Sequence, residues 1–297
     1  MPFPSDLIKI AREEIGYHEK ATNADLDSKT ANSGAGNFTK YARDLDKAEY
    51  FNGKKNGFDW CAVFYCWLQF KLYGDGTSAR AALYQPNPKY NCGAGCTQQA
   101  SYYRKANQFF TAPQPGDQIF YGETGDEGHT GLVVEVSDKT VTTIEGNVQN
   151  QVLLLRHSID DKTIVGYGRP KYEKNDPNVV YVVKTGDTLD KIAEQYDTTA
   201  EKIAKENGIT NPNFITTGTV LVFRRGDKTW HTTDIFCQMG DRNKAVSVIQ
   251  ALLLKRGLQL TYDGYFGAET RSAVMTWQRS KVITVDGIVG DETIATL

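Results

Sequence analysis

Long apolar runs, an excess of basic residues and the residue pattern of a signal peptide are not found in this 297-residue sequence. No stretch comes near the ~20 apolar residues that a membrane-spanning helix needs, so we expect no membrane partner. Lys and Arg number 34 against 36 Asp and Glu, for a net charge of −2, and we therefore expect no nucleic-acid partner. The start, MPFPSDLIKIAREEIGYHEK, is charged throughout and lacks the apolar centre and cleavage site of a signal peptide. We expect a protein that is cytoplasmic until it is released, or that leaves the cell by a non-standard route.

Cysteine is scarce, with five residues in the chain, too few for a scaffold built on disulfides at this length. Cys92 and Cys96 in NCGAGC are spaced so that they either close a small bridge or stay as two free thiols, and the sequence leaves both open. The metal-binding patterns HExxH and paired CxxC are missing. We therefore expect no metal and no cofactor.

Two seams divide the chain into three modules. The first seam, RPKYEKNDPNVV, interrupts the apolar pattern with charge, Asn and two prolines, and the second, RRGDKTWHTTD, follows residue 223. We place the modules at residues 1–173, 178–225 and 234–297.

The last module contains an internal repeat. DGYFGAET at 263–270 recurs as DGIVGDET at 286–293, and each copy places a turn-forming Asp-Gly pair before the start of a helix. The apolar spacing of AVSVIQALLLKRG predicts a helix before the first copy, and TRSAVMTWQRSKV predicts another between the copies. These residues resemble the three-helix peptidoglycan-binding domain found at the ends of cell-wall hydrolases. The resemblance implies an all-α fold over 234–297.

The middle module has the order β-α-α-β. It begins with the β-rich VVYVVKTGDTLDKIAEQY, in which Asp187 or Thr188 caps a helix, and GTVLVF at 218–223 predicts the closing strand. The pattern resembles a LysM domain, a family that binds N-acetylglucosamine-containing glycans such as peptidoglycan. The resemblance implies a glycan groove formed by Gly186, Asp187, Thr188, Asn213, Phe214 and Ile215. Helix capping accounts equally well for Asp187 and Thr188.

The first module has a cysteine, Cys61, near the start of an apolar segment, NGFDWCAVFYCWLQF. From Trp60 to Phe70 the segment is apolar on every side, which predicts a helix buried at the centre of the domain. With Asp59 as N-cap, Cys61 lies in the first turn, where the helix dipole and unpaired N–H groups lower the pKa of a thiol. Cys66 is rotated by ~140° around the helix and is expected to be a core residue. Cys61 is either a nucleophile or a packed thiol until a base is found.

His129 is the best-placed base among the four histidines. It opens GHTGLVVEV, which we predict to pair with KTVTTIEGN through a loop of odd length, so that Asn147 lies opposite His129 and Glu145 lies diagonal to it. Glu145 or Asn147 then holds the imidazole in the tautomer that accepts the thiol proton. A two-residue loop would break this register. His231 falls in the second seam, and His157 is expected to face solvent from a strand.

Four blocks in order, FDWCAVF, PGDQIF, GHTGLV and IEGN, resemble the CHAP family of cysteine- and histidine-dependent amidohydrolases and peptidases. The resemblance covers 1–173 and implies a papain-like α+β fold. It implies Cys61 as nucleophile, His129 as general base, Glu145 as orienting acid and Asn147 as further polar support. Some CHAP domains bind calcium just before the cysteine. Here NGKKNGFDWC has lysines in place of ligands, so we expect no calcium.

Together the modules predict a monomeric, multidomain peptidoglycan hydrolase that resembles the endolysins of phages and prophages. Its partner is bacterial peptidoglycan, through a stem-peptide amide and the N-acetylglucosamine-containing glycan. The same residues serve an N-acetylmuramoyl-L-alanine amidase and a peptide endopeptidase, so the bond stays open. Two alternatives also stay open: a wall-targeting protein with an inactive first domain, and an acyl transferase.

Overall fold

The structure, a computed structural model, describes residues 1–173, 176–225, 237–242 and 244–297. It divides into two compact units, Met1–Arg225 and Gly226–Leu297. His231 and the start of the module predicted from residue 234 lie outside the described residues.

The β-α-α-β order predicted for the middle module is observed. In the described ranges the helices are α1 (Pro4–Arg12), α2 (Lys40–Lys47), α3 (Cys61–Tyr73), α4 (Gly76–Ala82), α5 (Cys96–Lys105), α6 (Leu189–Gln195), α7 (Ala200–Glu206), α8 (Lys244–Lys255), α9 (Ala268–Lys281) and α10 (Asp291–Ile294). The strands there are β1 (Phe109–Phe110), β2 (Gln118–Glu123), β3 (Asp126–Val136), β4 (Thr140–Val148), β5 (Gln151–Ser158), β6 (Ile164–Gly168), β7 (Asn178–Val182) and β8 (Val220–Arg224). The α+β, βααβ and all-α classes predicted for the three modules are confirmed.

Within residues 1–173, six strands form one antiparallel sheet in the order β1-β6-β2-β3-β4-β5, and α3 packs against it. Helix α3 is buried from Cys61 to Gln69, which is why its sequence is apolar on every side. The predicted cap is wrong: Trp60 occupies the N-cap position and Asp59 is exposed. Trp60 is fully buried and donates from Nε1 to the Glu19 carboxylate at 2.7 Å, so a buried indole anchors the start of α3.

The Ser137 N–H donates to the Thr140 carbonyl at 2.9 Å, so the β3–β4 hairpin closes through the two-residue loop 138–139, contrary to the predicted odd length. Next to this loop, Val136 pairs with Val141, in the register that would place His129 and Glu145 on opposite faces of the sheet. A bulge between Val133 and Glu135 takes up one residue of β3. Beyond the bulge, Leu132 pairs with Ile144, which is the predicted register. The bulge therefore corrects the side-chain orientation that the loop alone would have reversed.

Strands β7 and β8 are apolar on both faces because each face is buried against a different core. The side chains on one face join the core of the first module: Val180, Val182, Val220 and Val222. Those on the other face pack in the core that contains residues of α6 and α7: Tyr181, Val183, Leu221 and Phe223. Thr188 caps α6 by accepting a hydrogen bond from the Lys191 backbone N–H at 3.3 Å, as predicted.

Polar contacts also join α1 and the first module to the βααβ module. The Arg12 guanidinium donates to the side-chain carbonyl of Asn207 and to the Val220 carbonyl, the latter at 3.1 Å. The backbone N–H of Val182 donates to the Glu135 carboxylate at 3.3 Å. Residues 1–225 are therefore one compact unit, in which β7 and β8 contribute to two apolar cores.

The repeat in the second unit is held by buried glutamines. Gln250 on α8 donates from Nε2 to the Asp263 carboxylate at 2.8 Å and to the Tyr265 carbonyl at 3.0 Å. Its carbonyl oxygen accepts from the Gly264 backbone N–H at 2.9 Å. The amide thus closes the Asp-Gly turn of the first copy.

Gln278 on α9 repeats this arrangement in the second copy. It donates to the Asp286 carboxylate at 2.8 Å and to the Ile288 carbonyl at 2.9 Å, and it accepts from the Gly287 backbone N–H at 2.9 Å. A recurring glutamine before each Asp-Gly turn is therefore the physical basis of the repeat.

We predict that Gln278→Leu destabilises the helical unit, because it leaves several buried turn groups without partners at a cost of about 1–3 kcal/mol. Hydrogen exchange of the α9 amides in the full chain should become faster. Gln238→Leu is the matched control, since the Gln238 side chain is exposed. Equal protection of α9 in both variants would contradict the proposed role of the amide.

Candidate active site

Three elements bring the predicted catalytic side chains together. Cys61 is the first residue of α3, His129 lies on β3 and Glu145 lies on the neighbouring strand β4. The Nε2 atom of His129 is 2.8 Å from a carboxylate oxygen of Glu145, and the imidazole is close enough to the Cys61 thiol to lower the pKa of that thiol. Because Nε2 faces the carboxylate, Nδ1 is the ring nitrogen that remains available for proton transfer.

The Glu145 carboxylate is almost fully buried and accepts four side-chain hydrogen bonds. Besides His129, its donors are the hydroxyls of Tyr121 and Thr143, both at 2.6 Å, and Nε2 of His157 at 3.0 Å. Burial opposes ionisation, but hydrogen bonds from these donors hold the pKa of Glu145 well below its usual range. The carboxylate is therefore ionised at neutral pH.

His157 belongs to this network, and the prediction that it faces solvent is wrong. Strand β5 pairs with β4, with Val141 opposite His157 and Glu145 opposite Leu153. Because side chains alternate along a strand, His157 lies on the same face as Glu145. The even spacing of His157 from Leu153 and Leu155 places these side chains on one face, but only the pairing of β5 with β4 shows that this face contains Glu145.

Two glycines make room for the site. A Cβ on Gly131 would lie 2.4 Å from Cγ of Glu145, so only glycine lets the carboxylate side chain cross β3. A Cβ on Gly146 would lie 2.7 Å from the Trp60 ring and 2.8 Å from Cβ of Phe64. The motifs GHTG and EGN therefore contain glycines that allow β3, β4 and α3 to approach one another closely.

Asn147 does not support the imidazole by a hydrogen bond, as the sequence had suggested. Its backbone is left-handed, with φ of 64°, at an irregularity in the β4–β5 pairing between Glu145 and Val148. Its side-chain amide donates to the Asp59 carboxylate at 3.4 Å. The left-handed residue turns the amide toward the segment before α3.

Cys96, at the first position of α5, is the second thiol of the site. Its sulfur is 3.6 Å from the sulfur of Cys61, whereas the Cys92 sulfur is 3.8 Å from the side-chain carbonyl of Gln85. All five cysteines are free, so the optional Cys92–Cys96 bridge is not formed here. Sequence spacing pointed to Cys92 as the neighbour of Cys96, whereas the fold places Cys61 there.

The environment of Cys61 favours its thiolate. The hydrogen bond from Cys96 is the largest cause that lowers the pKa of Cys61 to about 5; burial opposes it, and the hydrogen bond and charge of His129 add to it. The pKa of Cys96 is raised well above its usual range, first by this hydrogen bond and then by burial. Cys96 is therefore the thiol donor and Cys61 the anion.

His129 is the cation of the pair. Burial alone would lower the pKa of His129, but hydrogen bonds to Cys61 and Glu145 and the charges of both raise it to about 10. Between about pH 5 and pH 10 the two groups are therefore a thiolate and an imidazolium. By contrast, burial raises the pKa of Cys66 to about 12, and its predicted place in the core is confirmed.

A cleft of about 430 Å³ opens beside the two thiols. Its lining includes basic, acidic and apolar side chains: Lys54, Lys55, Phe58, Asp59, Cys61, Ala94, Gly95, Cys96, Glu127 and Gly128. Phe58 is 63% exposed at this site. No group of three or more metal-ligating side chains is found in the described part of the chain.

The residues of the predicted glycan groove lie in two loops, β7–α6 and α7–β8. In the first, Asp187 accepts hydrogen bonds from the Tyr181 hydroxyl at 2.8 Å and the Lys184 backbone N–H at 2.7 Å, next to Gly186 and the cap Thr188. In the second, the Asn213 backbone N–H donates to Asn211 at 3.1 Å. Phe214 is 72% exposed, and Ile215 packs against the core of the module. Their role in binding glycan stays a prediction.

Three family models match this chain. "CHAP domain" matches residues 53–147, "LysM domain" matches 181–224 and "Putative peptidoglycan binding domain" matches 242–297. No curated protein is a significant match.

Two solved structures are similar to parts of the chain. One is a peptidoglycan-binding protein from Clostridioides difficile in complex with glutamine hydroxamate, at 17% identity over 52% of this chain and 67% of that chain, with a TM-score of 0.20. The other is the MoCVNH3 variant Mo0v in complex with (N-GlcNAc)4, at 17% identity over 31% of this chain and 59% of that chain, with a TM-score of 0.16.

The matched domains define a protein that acts on the bacterial cell wall, as a hydrolase or as a binding protein. Its architecture is CHAP, LysM and peptidoglycan-binding domain in that order, as the motifs predicted. Among the described residues, none of the helices has both the length and the apolar composition needed to cross a membrane.

We predict that iodoacetamide alkylates Cys61 at a rate that rises with pH through about 5 and is flat at pH 7, because the thiolate is then fully formed. His129→Ala should raise this midpoint by about one to two pH units, since it removes a hydrogen bond to a charged group. Glu145→Gln should raise the midpoint less than His129→Ala does, and His157→Gln should raise it least, because both substitutions act through His129. Peptide mass spectrometry would assign the alkylated cysteine, and a midpoint near that of an ordinary thiol in the unsubstituted chain would contradict the prediction.

Proposed function

We propose that this protein hydrolyses amide bonds of peptidoglycan with Cys61 as nucleophile, either as an N-acetylmuramoyl-L-alanine amidase or as a peptide endopeptidase. The observation that carries the proposal is the grouping of Cys61, His129 and the buried Glu145 carboxylate at the edge of an open cleft, with His129 hydrogen-bonded to Glu145 and lowering the pKa of Cys61. A nucleophile, a base and an orienting acid in contact are the recurring requirement of acyl transfer.

In the proposed reaction the Cys61 thiolate attacks the carbonyl carbon of the amide. The backbone N–H of Cys61, at the start of α3, would stabilise the developing oxyanion. His129, protonated in the ion pair, gives its proton to the leaving nitrogen as the C–N bond breaks. The base then takes a proton from water, which attacks the thioester and releases a carboxylic acid and the thiolate.

Glu145 keeps the imidazole in place during both proton transfers. Because it accepts four hydrogen bonds, its carboxylate neither rotates nor takes the proton from His129. Asn147 would act one step further away, through Asp59 and the segment before α3. These are positioning roles.

The cleft suits a peptide that carries carboxylates, as the stem peptides of peptidoglycan do. Lys54 and Lys55 line it together with the exposed ring of Phe58, and of its two carboxylates Glu127 is paired with Arg104. We propose that the LysM loops, with Phe214 exposed, bind the N-acetylglucosamine-containing glycan and that the protein acts as a monomer. Release from a host cell during lysis, as for an endolysin, would bring the enzyme to this substrate.

We predict that Cys61→Ala abolishes the loss of turbidity of purified sacculi, while binding to them persists because the wall-binding domains are untouched. Cys92→Ser is the matched control, since its sulfur is remote from the imidazole and it should lyse sacculi. Mass spectrometry of the digest identifies the bond: a free amino group on L-alanine marks an amidase, and freed stem or cross-bridge amines mark an endopeptidase. Lysis by Cys61→Ala would refute the mechanism, and no lysis by the unsubstituted protein would favour the wall-binding alternative.

The pH profile of lysis should reflect the titration of both Cys61 and His129. Activity should rise as pH increases through about 5, where Cys61 loses its proton, and fall as pH increases through about 10, where His129 loses its own. Lysis should survive EDTA and be lost after iodoacetamide treatment. Lysis that is sensitive to EDTA and resistant to alkylation would instead require a metal-bound nucleophile.

A further inference from the structure

Two thiols face each other at the edge of the cleft. The sulfurs of Cys61 and Cys96 are 3.6 Å apart, and each residue is the first of its helix, α3 and α5. Both residues line the cleft, so a small solute can reach the pair. Hydrolysis of an amide needs only one of these thiols.

The distance is short enough for a disulfide. A disulfide bond is about 2.05 Å long, so the sulfurs must approach by about 1.5 Å, which small side-chain rotations at two helix starts can supply. No other cysteine competes in this unit. Cys66 is fully buried and its sulfur accepts from the amides of Gln85 and Gln99 at 3.3 Å and 3.2 Å, and Cys92 faces Gln85.

We propose that Cys61 and Cys96 form a reversible disulfide when the protein meets a thiol oxidant, either a hydroperoxide or a small-molecule disulfide. The bond itself does not depend on the proposed function. Its consequence does, since a disulfide removes the proposed nucleophile and switches hydrolysis off.

The chemistry balances with either oxidant. With a hydroperoxide, the Cys61 thiolate attacks the distal oxygen and the O–O bond breaks, which gives a sulfenic acid and, after protonation, an alcohol or water. Cys96 then attacks the Cys61 sulfur, and the hydroxyl leaves as water with the thiol proton. With a small disulfide, the thiolate displaces one thiol to give a mixed disulfide, and Cys96 displaces the second. Each route oxidises two thiols by two electrons and reduces one oxidant molecule.

Cys96 has the place of a resolving thiol. It touches the Cys61 sulfur before oxidation, so the sulfenic acid is trapped before a second oxidant molecule can convert it to the irreversible sulfinic acid. Without Cys96, oxidation of Cys61 should proceed to products that a dithiol cannot reduce.

The test compares the full-length chain with Cys96→Ser, which keeps a hydroxyl donor but cannot form a disulfide, and with Cys92→Ser as the matched control. Each protein is treated with a small excess of hydrogen peroxide or with oxidised glutathione, then digested without reduction. The full-length chain and Cys92→Ser should yield a Cys61–Cys96 cross-linked peptide, and titratable thiols in the denatured full-length chain should fall from five to three. Dithiothreitol should restore both thiols.

Cys96→Ser should instead give a sulfinic acid or a glutathione adduct at Cys61, and the sulfinic acid should not recover with dithiothreitol. Circular dichroism would verify that the variant is folded. A Cys92–Cys96 cross-link, or sulfinic acid at Cys61 with Cys96 still free in the full-length chain, would overturn the inference. A Cys61–Cys96 cross-link in a protein that does not lyse sacculi would support the inference and contradict the proposed function. Lysis that persists after complete cross-linking would instead show that Cys61 is not the nucleophile.

Discussion

The buried carboxylate of Glu145 is the constraint on which the site depends. An ionised group that is 2% exposed is tolerated only when hydrogen bonds replace the lost water, and here four side chains from β2, β3, β4 and β5 provide them. Because the four donors come from neighbouring strands, the sheet must form in the observed register before the charge can be buried. The carboxylate then fixes His129, which adds to the larger effect of Cys96 in favouring the Cys61 thiolate.

The register of β3 against β4 therefore decides whether the catalytic side chains can meet. The register set by the two-residue loop between β3 and β4 would place His129 and Glu145 on opposite faces of the sheet, and the bulge between Val133 and Glu135 returns them to the same face. Gly131 then lets the Glu145 side chain cross its neighbouring strand. A bulge close to a site is expected where a side chain has to be re-aimed, and it serves that purpose here.

Much of this was predictable from residue patterns, since module order, the central helix and the grouping of Cys61, His129 and Glu145 rest on local periodicity and motifs. What failed needed long-range pairing. His157 joins the site only because β5 pairs with β4, and Cys96 joins it only because α5 starts beside α3. The sequence of β7 and β8 did contain a usable signal. Strands that are apolar on both faces have to be buried on both, and here one face packs against the first module while the other packs in the core of α6 and α7.

Nucleophilicity and sensitivity to oxidation have the same origin in this site. The Cys96 thiol stabilises the Cys61 anion because it is a donor in contact with it, and contact is also what a resolving thiol requires. The charge of Glu127 further raises the pKa of Cys96, after the larger effects of the Cys61 hydrogen bond and burial, so the proton stays on Cys96 and the negative charge on Cys61. A substitution at Cys96 that preserved the Cys61 thiolate but removed the Cys96 thiol would therefore separate the nucleophilicity of Cys61 from its reversible oxidation. The position of one sulfur atom sets both the reactivity of Cys61 and the product that an oxidant leaves behind.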